Sequence, residues 1–147
     1  MKTHDEKDSV MAKAVGANGQ RLTRQKMEVF HYLQEHWINH PTAEEVYFGV
    51  KRWVPSISLA TVYNCLESLV SCKLLNRLDI PGPHHYEMRG RKHDHFRCVA
   101  CGKIFDLETS IPIDRMVGSG NHFEVIEYQL LLSGYCPKCK PHKKSST

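Results

Sequence analysis

Long apolar runs are missing from this 147-residue sequence, and no stretch approaches the ~20 residues that a membrane-spanning helix needs. The first ten residues, MKTHDEKDSV, lack the apolar stretch of a secretory signal. There is no repeat at domain scale and no low-complexity segment. We therefore expect neither a membrane protein nor an exported one, and we expect the chain to work in the cytoplasm.

A large excess of one charge is also missing. The 20 basic and 16 acidic side chains leave a net charge of +4, and residues 1–80 hold ten basic and nine acidic side chains. Basic residues are nevertheless concentrated locally, with four and no acid between residues 13 and 26, and four with one acid between residues 51 and 77. A DNA-binding surface would have to be built from these segments, and solvated faces are the alternative interpretation.

Apolar spacing between residues 21 and 71 predicts three helices, after a weaker helix that ends near Gly16. Thr23, Thr42 and Ser58 are suited to cap them, and Thr42 with Glu45 has the spacing of a capping box. The residues expected to face the core are Met27, Phe30, Leu33 and Trp37, then Ala43, Val46, Tyr47 and Val50, then Leu59, Val62, Leu66, Leu69 and Val70.

Two extended segments, 74–80 and 84–89, flank a Pro-Gly-Pro turn and predict a β-hairpin. Three helices followed by a hairpin are the plan of a winged helix-turn-helix, in which the helix at 58–71 enters the major groove and the hairpin is the wing. A generic helical domain with a hairpin is the alternative. We predict a DNA-binding domain at 1–88 and a hinge at 89–93.

Residues 94–147 are predicted to form a small second domain. Strands are expected at 95–99, 104–107 and 123–132, a short helix at 111–118, and a disordered tail from 140 to 147. The predicted fold class is therefore α+β, with an N-terminal winged helix and a small C-terminal α/β domain.

Four of the six cysteines form two Cys-x-x-Cys units separated by 34 residues: Cys98, Cys101, Cys136 and Cys139. In a reducing compartment, cysteines at this spacing indicate metal binding rather than disulfides. Four thiolates about 2.3 Å from one Zn²⁺ make a closed structural site. A redox pair is the alternative, which the presence of two pairs disfavours. Cys65 and Cys72 have no such spacing and are interpreted as ordinary residues.

Histidines and carboxylates surround the first Cys-x-x-Cys unit. His93 and His95 would share one face of a strand, and Asp106, Glu87 and His40 are further donors. Imidazoles with carboxylates suit Fe²⁺, Mn²⁺ or Zn²⁺. From spacing alone only the His93/His95 pair stands out, and exposed histidines are the alternative.

Four segments in register, HPTAEEVY, SLATVYNCL, HDHFRCVACGKIFDLE and YCPKC, resemble the ferric uptake regulator (Fur) superfamily. The resemblance runs from about Arg21 to Cys139. It implies a homodimeric, metal-sensing transcription repressor, not an enzyme, that binds a palindromic operator in double-stranded DNA and dimerises through its C-terminal domain.

The resemblance also assigns site residues. It assigns structural Zn²⁺ to Cys98, Cys101, Cys136 and Cys139. It assigns a regulatory Fe²⁺ or Mn²⁺ that joins the two halves to His40, Glu87, His93, His95 and Asp106. It assigns DNA contacts to Arg21, Thr61, Tyr63 and Asn64.

The branch is indicated by Asp106, whose position is typically Asp in peroxide sensors (PerR type) and Glu in iron-uptake regulators. Lys92 and Tyr128 stand where iron-uptake members often have histidines of an extra sensory site. Glu87 departs from the Asp of the best-known peroxide sensors.

The resemblance therefore implies peroxide sensing, in which oxidation of His40 or His93 to 2-oxo-histidine at an Fe²⁺ site releases the DNA. The alternative within the superfamily is an iron- or zinc-responsive uptake repressor without peroxide chemistry. A small zinc enzyme is disfavoured because five ligands leave little room for substrate, and the winged-helix pattern disfavours a purely protein-binding zinc module.

Overall fold

A computed structural model of the chain describes residues 4–90, 93–108, 112, 117, 123–126 and 128–141, with the side chains of residues 4, 5 and 7 excepted. The chain divides into two compact units, Met1–Gly90 and Arg91–Thr147. No helix in the described ranges is both long enough and apolar enough to cross a membrane.

The N-terminal unit consists of four helices and a hairpin. Its elements are α1 (His4–Ala17), α2 (Arg24–His36), a 3₁₀ turn (Trp37–Asn39), α3 (Ala43–Val50), α4 (Leu59–Ser71), β1 (Leu75–Leu78) and β2 (His85–Met88). The two strands are antiparallel, with Leu75 opposite Met88 and Leu78 opposite His85. Helices that precede a hairpin in this order match the predicted winged-helix plan, and the α+β class is confirmed.

Local capping explains where the helices begin. Thr23 accepts a hydrogen bond from the Lys26 backbone N–H at 3.2 Å, and Ser58 accepts one from Thr61 at 3.1 Å. Thr42 and Glu45 form both hydrogen bonds of a capping box at the start of α3. All three predicted caps are confirmed.

The core lies between the helices and the hairpin, and α1 contributes the fully buried Met11 and Val15. The prediction that Trp37 faces the core is wrong, because its side chain is 45% exposed. Helix α2 ends at His36 and the chain tightens into the 3₁₀ turn, so Trp37 leaves the helical face on which it was placed. Val29 is buried on that helix instead.

The C-terminal unit contains a three-stranded sheet. Its strands are β3 (Asp94–Cys98), β4 (Ile104–Leu107) and β5 (Leu131–Gly134), in the order β4-β3-β5. Strand β4 is antiparallel to β3 and β5 is parallel to it.

The prediction of one long strand over 123–132 is wrong. Residues 123–126 and 128–130 are not in a strand, and Phe123 and Ile126 are 73% and 92% exposed. Strand β3 pairs through His95–Cys98 with residues 131–134. The alternating residues before Leu131 therefore have no β3 residues as pairing partners. Most of the predicted helix at 111–118 and of the tail at 140–147 lies outside the described residues.

Candidate metal centres and nucleic-acid interface

The four clustered cysteines meet because β3 and β5 run parallel. Cys98 ends β3 and is paired with Gly134, the last residue of β5, so Cys136 follows at the same end of the sheet. Gly102 turns the chain after the first Cys-x-x-Cys unit, and its φ of +72° is a left-handed conformation that suits glycine. Its N–H donates to the Cys98 carbonyl at 2.9 Å.

The geometry of this cluster fits one tetrahedral ion. The four sulfurs lie within 4.8 Å of one another, and Cys101 Sγ is 4.0 Å from Cys136 Sγ. Sulfurs about 2.3 Å from a tetrahedral Zn²⁺ would be about 3.8 Å apart. Cys98 and Cys136 are buried, as in a closed structural site. The cluster therefore fits the predicted zinc site.

Backbone donors prepare the cluster for a cation. The N–H groups of Cys136 and Cys101 lower the pKa of the Cys98 thiol to about 6. Hydrogen bonding to the Cys136 and Cys101 sulfurs raises the pKa of Cys139 to about 12. A divalent ion bound among the four sulfurs would favour the ionised form of each thiol.

A buried histidine–glutamate pair lies inside the N-terminal unit. His40 occupies the junction between the 3₁₀ turn and α3 and is 1% exposed, and Glu87 on β2 is 6% exposed. Their closest side-chain atoms, His40 Nε2 and Glu87 Oε2, are 3.4 Å apart. These two donors lie far apart in sequence, and the hairpin brings them together.

Three predicted donors lie together inside the C-terminal unit. His95 on β3 is the register partner of Asp106 on β4. His93 Nε2 lies 3.2 Å from Asp106 Oδ1, and the rings of His93 and His95 have centroids 4.7 Å apart. Each unit thus presents a set of imidazole and carboxylate donors of the kind that bind first-row divalent metals.

Asp94 is a buried carboxylate that the sequence analysis did not single out. It lies between His93 and His95 and is 6% exposed. Strand alternation predicts that Asp94 lies on the face opposite to the histidines. The spacing gives no sign that this opposite face is also buried.

Three of the four predicted DNA contacts line one surface depression. Arg21, Thr61 and Asn64 border a cavity of about 390 Å³ together with Gln20 and Lys26. Arg21 comes from the loop before α2, and the other two predicted contacts come from the first turns of α4. The depression combines cationic and hydrogen-bonding side chains.

Tyr63, the fourth predicted contact, does not line the depression. Its hydroxyl donates a hydrogen bond to Glu44 Oε1 on α3 at 2.9 Å, and this bond raises the pKa of the Tyr63 phenol. The side chain is half-buried and packs partly against the core.

Sequence reasoning missed the side chains that tie the Arg21 loop to α4. Gln20 donates to Ser71 Oγ at 3.1 Å and accepts from Ser68 Oγ and from the Lys26 ammonium. The nearly buried Lys26 also donates to the Arg21 carbonyl at 3.2 Å. The sequence showed that basic residues are concentrated in this segment, but it gave no sign of these hydrogen bonds.

Helix α4 is also tied to the hairpin, through Glu67. This carboxylate accepts hydrogen bonds from Arg77 on β1 at 3.2 Å and from the Tyr86 hydroxyl on β2 at 3.1 Å. The single acid between residues 51 and 77 is therefore paired with a cation of the hairpin.

Residues 17–132 match the model of the ferric uptake regulator family. The chain is 28% identical over 134 residues to the ferric uptake regulation protein of Bacillus subtilis, covering 86% of this chain and 90% of that protein. It is 29% identical over 126 residues to the peroxide-responsive repressor PerR of Staphylococcus aureus, covering 83% and 84%.

The fold is similar to that of the ferric uptake regulator Fur of Helicobacter pylori, with a TM-score of 0.82 over 99% of this chain and 97% of that one, at 21% identity. The family model spans most of the chain, both sequence relatives are covered over four fifths or more of their length, and the described residues hold the cysteine cluster and the two donor sets. The chain therefore belongs to the ferric uptake regulator family and is a metal-dependent transcription regulator.

Proposed function

We propose that the chain is a homodimeric repressor that binds a palindromic DNA operator in a metal-dependent way and releases it when hydrogen peroxide oxidises a metal-ligating histidine. The observation that carries the DNA-binding part is the depression where Arg21 meets Thr61 and Asn64 of α4. A cation there can neutralise a phosphate, and the polar side chains of a recognition helix can reach base edges. A two-fold dimer presents two such helices to two half-sites, which accounts for the palindrome.

The regulatory part of the proposal assigns one divalent ion to both donor sets. His40 and Glu87 would supply the donors of the N-terminal unit, and His93, His95 and Asp106 those of the C-terminal unit. The close pairs within each unit, at 3.4 Å and 3.2 Å, and the chemistry of the donors support metal binding by each set. His40 lies two residues before Thr42, the N-cap of α3. Ligation of His40 would therefore fix the chain that leads into the DNA-binding helices and favour a DNA-competent population.

Peroxide sensing is the finer part of the proposal, and it depends on Asp106. Bound Fe²⁺ would activate hydrogen peroxide, one of whose oxygen atoms would be transferred to a ligating imidazole while the other leaves as water. Of the proposed ligands, His40 lies beside the Glu87 carboxylate and His93 beside that of Asp106, and oxidation of either histidine to 2-oxo-histidine would remove a ligand. Asp106 is one methylene shorter than Glu and holds its carboxylate farther back, which would leave a coordination position for peroxide.

An iron- or zinc-responsive uptake repressor without peroxide chemistry is the second candidate. Glu87 favours it, since the best-known peroxide sensors resemble this chain but have Asp there. The similarity to the ferric uptake regulation protein of Bacillus subtilis favours it as well.

Operator binding by the iron-loaded and manganese-loaded dimers, before and after micromolar peroxide, separates these functions. We expect the iron form alone to lose DNA and to gain one oxygen atom on the peptide that carries His40 or His93. Asp106→Glu should keep metal-dependent binding and lose the peroxide response, while Asp79→Glu, an exposed carboxylate on the hairpin, should behave as wild type. Iron-loaded protein whose histidines stay unmodified and which stays bound to the operator after peroxide would contradict peroxide sensing and favour the uptake repressor.

The DNA surface is tested separately by salt dependence. Arg21→Ala should weaken binding to operator and random DNA alike and reduce the slope of log affinity against log salt by about two, because each protomer of the dimer loses one phosphate contact. Tyr63→Ala should lower the operator-to-random ratio, as expected for a base contact. Lys103→Ala in the C-terminal unit is the control. Unchanged salt slopes for Arg21→Ala would remove Arg21 from the interface.

A further inference from the structure

His40 takes up an unusual backbone conformation. With φ 44° and ψ 61° it lies in the left-handed region, which side chains other than glycine rarely adopt. Among the described residues, Lys73 is the one other non-glycine with positive φ. Such a conformation persists where surrounding contacts hold it, and residues held in this way are frequent at ligand sites. The conformation of His40 therefore depends on the contacts around it.

Strand β2 supplies these contacts through His85. The Nδ1 atom of His85 lies 2.6 Å from the His40 carbonyl oxygen. A carbonyl can only accept, so Nδ1 must carry the hydrogen and donate it. Backbone pairing supports the same segment, since Tyr86 N–H donates to the Pro41 carbonyl at 3.0 Å and Thr42 forms a β-bridge with His85.

The carboxylate beside His40 is oriented by the other strand of the hairpin. Asn76 on β1 is the register partner of Glu87 and donates from Nδ2 to its Oε1 at 3.0 Å. The second oxygen, Oε2, is the one that lies toward His40 Nε2. The hairpin thus contacts the backbone of one donor and the side chain of the other.

We propose that His85 is a positioning residue for the regulatory metal. The Nδ1–H group of His85 holds the His40 carbonyl and so stabilises the left-handed backbone of His40. From this backbone the His40 ring lies beside Glu87. His85 thereby raises metal affinity without contacting the ion. Asn76 positions the Glu87 carboxylate through its own hydrogen bond. This inference rests on the proposed function, because it requires His40 and Glu87 to be ligands. It gives the wing a role in metal sensing in addition to its place in the DNA-binding fold.

Metal titration of the full-length, zinc-loaded protein tests the proposal, with Mn²⁺ for affinity and Co²⁺ for its visible spectrum. His85→Ala should bind Mn²⁺ about tenfold more weakly, the scale expected when a partner of a metal ligand is lost. His85→Asn should recover most of that loss, because its amide N–H can reach the same carbonyl. His84→Ala is the matched control, an exposed neighbouring histidine in the turn, and should bind as wild type.

Two further readouts separate positioning from simple stability. At saturating Co²⁺, His85→Ala should show an altered absorption spectrum, which a mere loss of hairpin stability would leave unchanged. Asn76→Ala should also weaken Mn²⁺ binding, through Glu87 alone. If His85→Ala fails to fold, His85→Phe, which keeps a ring of similar size and lacks the N–H donor, decides the question by the same titration.

The outcomes distinguish this inference from the function on which it rests. Mn²⁺ affinity and a Co²⁺ spectrum of His85→Ala equal to those of His84→Ala would overturn the positioning role and leave the metal-dependent repressor standing. A wild-type protein that binds no Mn²⁺ or Co²⁺ besides its structural zinc would overturn both.

Discussion

The N-terminal unit buries seventeen apolar residues in one contiguous cluster, drawn from all four helices and from both strands. In the described part of the C-terminal unit, the buried apolar residues are Ile104 and two cysteines of the metal cluster, Cys98 and Cys136. The first unit therefore has the core of an ordinary domain. The described part of the second concentrates its apolar burial around the sulfurs.

This difference implies two separate sources of stability. Each fully buried aliphatic or aromatic side chain of the N-terminal unit contributes about 1.5–3 kcal/mol relative to leaving it exposed. Structural Zn²⁺ sites in small domains bind with about 10–16 kcal/mol at neutral pH, and that binding energy is folding energy. Removal of metal should therefore unfold one unit and spare the other.

The largest expected effect comes from Cys136→Ser. Loss of this buried sulfur should abolish zinc binding, unfold the C-terminal unit and separate the dimer, while the helices of the N-terminal unit remain. Zinc content, size-exclusion chromatography and circular dichroism measure these three results. Cys72→Ser is the control, since Cys72 is buried in the helical core outside the cluster, and it should keep zinc and dimer. A zinc-free Cys136→Ser protein that remains a folded dimer would contradict the comparison.

Leu66→Ala should produce the converse effect. Leu66 is fully buried on α4, and its truncation should lower the free energy of unfolding of the N-terminal unit by about 2–5 kcal/mol. Zinc content should be unchanged. Ile38→Ala, at a side chain that is 64% exposed, should cost far less. Denaturant unfolding followed by circular dichroism gives both numbers, and equal losses for the two variants would argue against the proposed core.

Thr42→Ala should have the smallest effect of the three. It removes the side-chain oxygen that accepts from Glu45 N–H at 3.3 Å and should cost about 1 kcal/mol. Thr42→Ser keeps that oxygen and should restore the urea midpoint of unfolding. If serine does not restore it, the cap is not the source of the stability.

The features that sequence reasoning predicted well are local. The box of Thr42 with Glu45 and the two Cys-x-x-Cys units depend on residues three apart, and the structure contains them as predicted. The extent of β5 was missed because it depends on how much of β3 is available for pairing, which is a non-local property.

The contacts of the donor pair show the same limit on a smaller scale. Spacing gave no reason to connect His85 with His40, because the chain between them is 44 residues long and forms two helices and a strand. Asn76 faces Glu87 only by virtue of the hairpin register. The sequence of the Pro-Gly-Pro turn did not predict this register, and without the register the contact between Asn76 and Glu87 could not be predicted.

The parallel pairing of β3 with β5 has a consequence for the order of folding. Hairpin β1–β2 joins segments six residues apart, whereas His95 must find Leu131 across 35 intervening residues. Loop closure over longer separations carries a greater entropic cost before any contact forms, and topologies dominated by distant pairings fold more slowly. We expect the helices and the wing to acquire their hydrogen bonds first. The parallel pair, and with it the meeting of the two Cys-x-x-Cys units, is then the slow step in maturation of the chain.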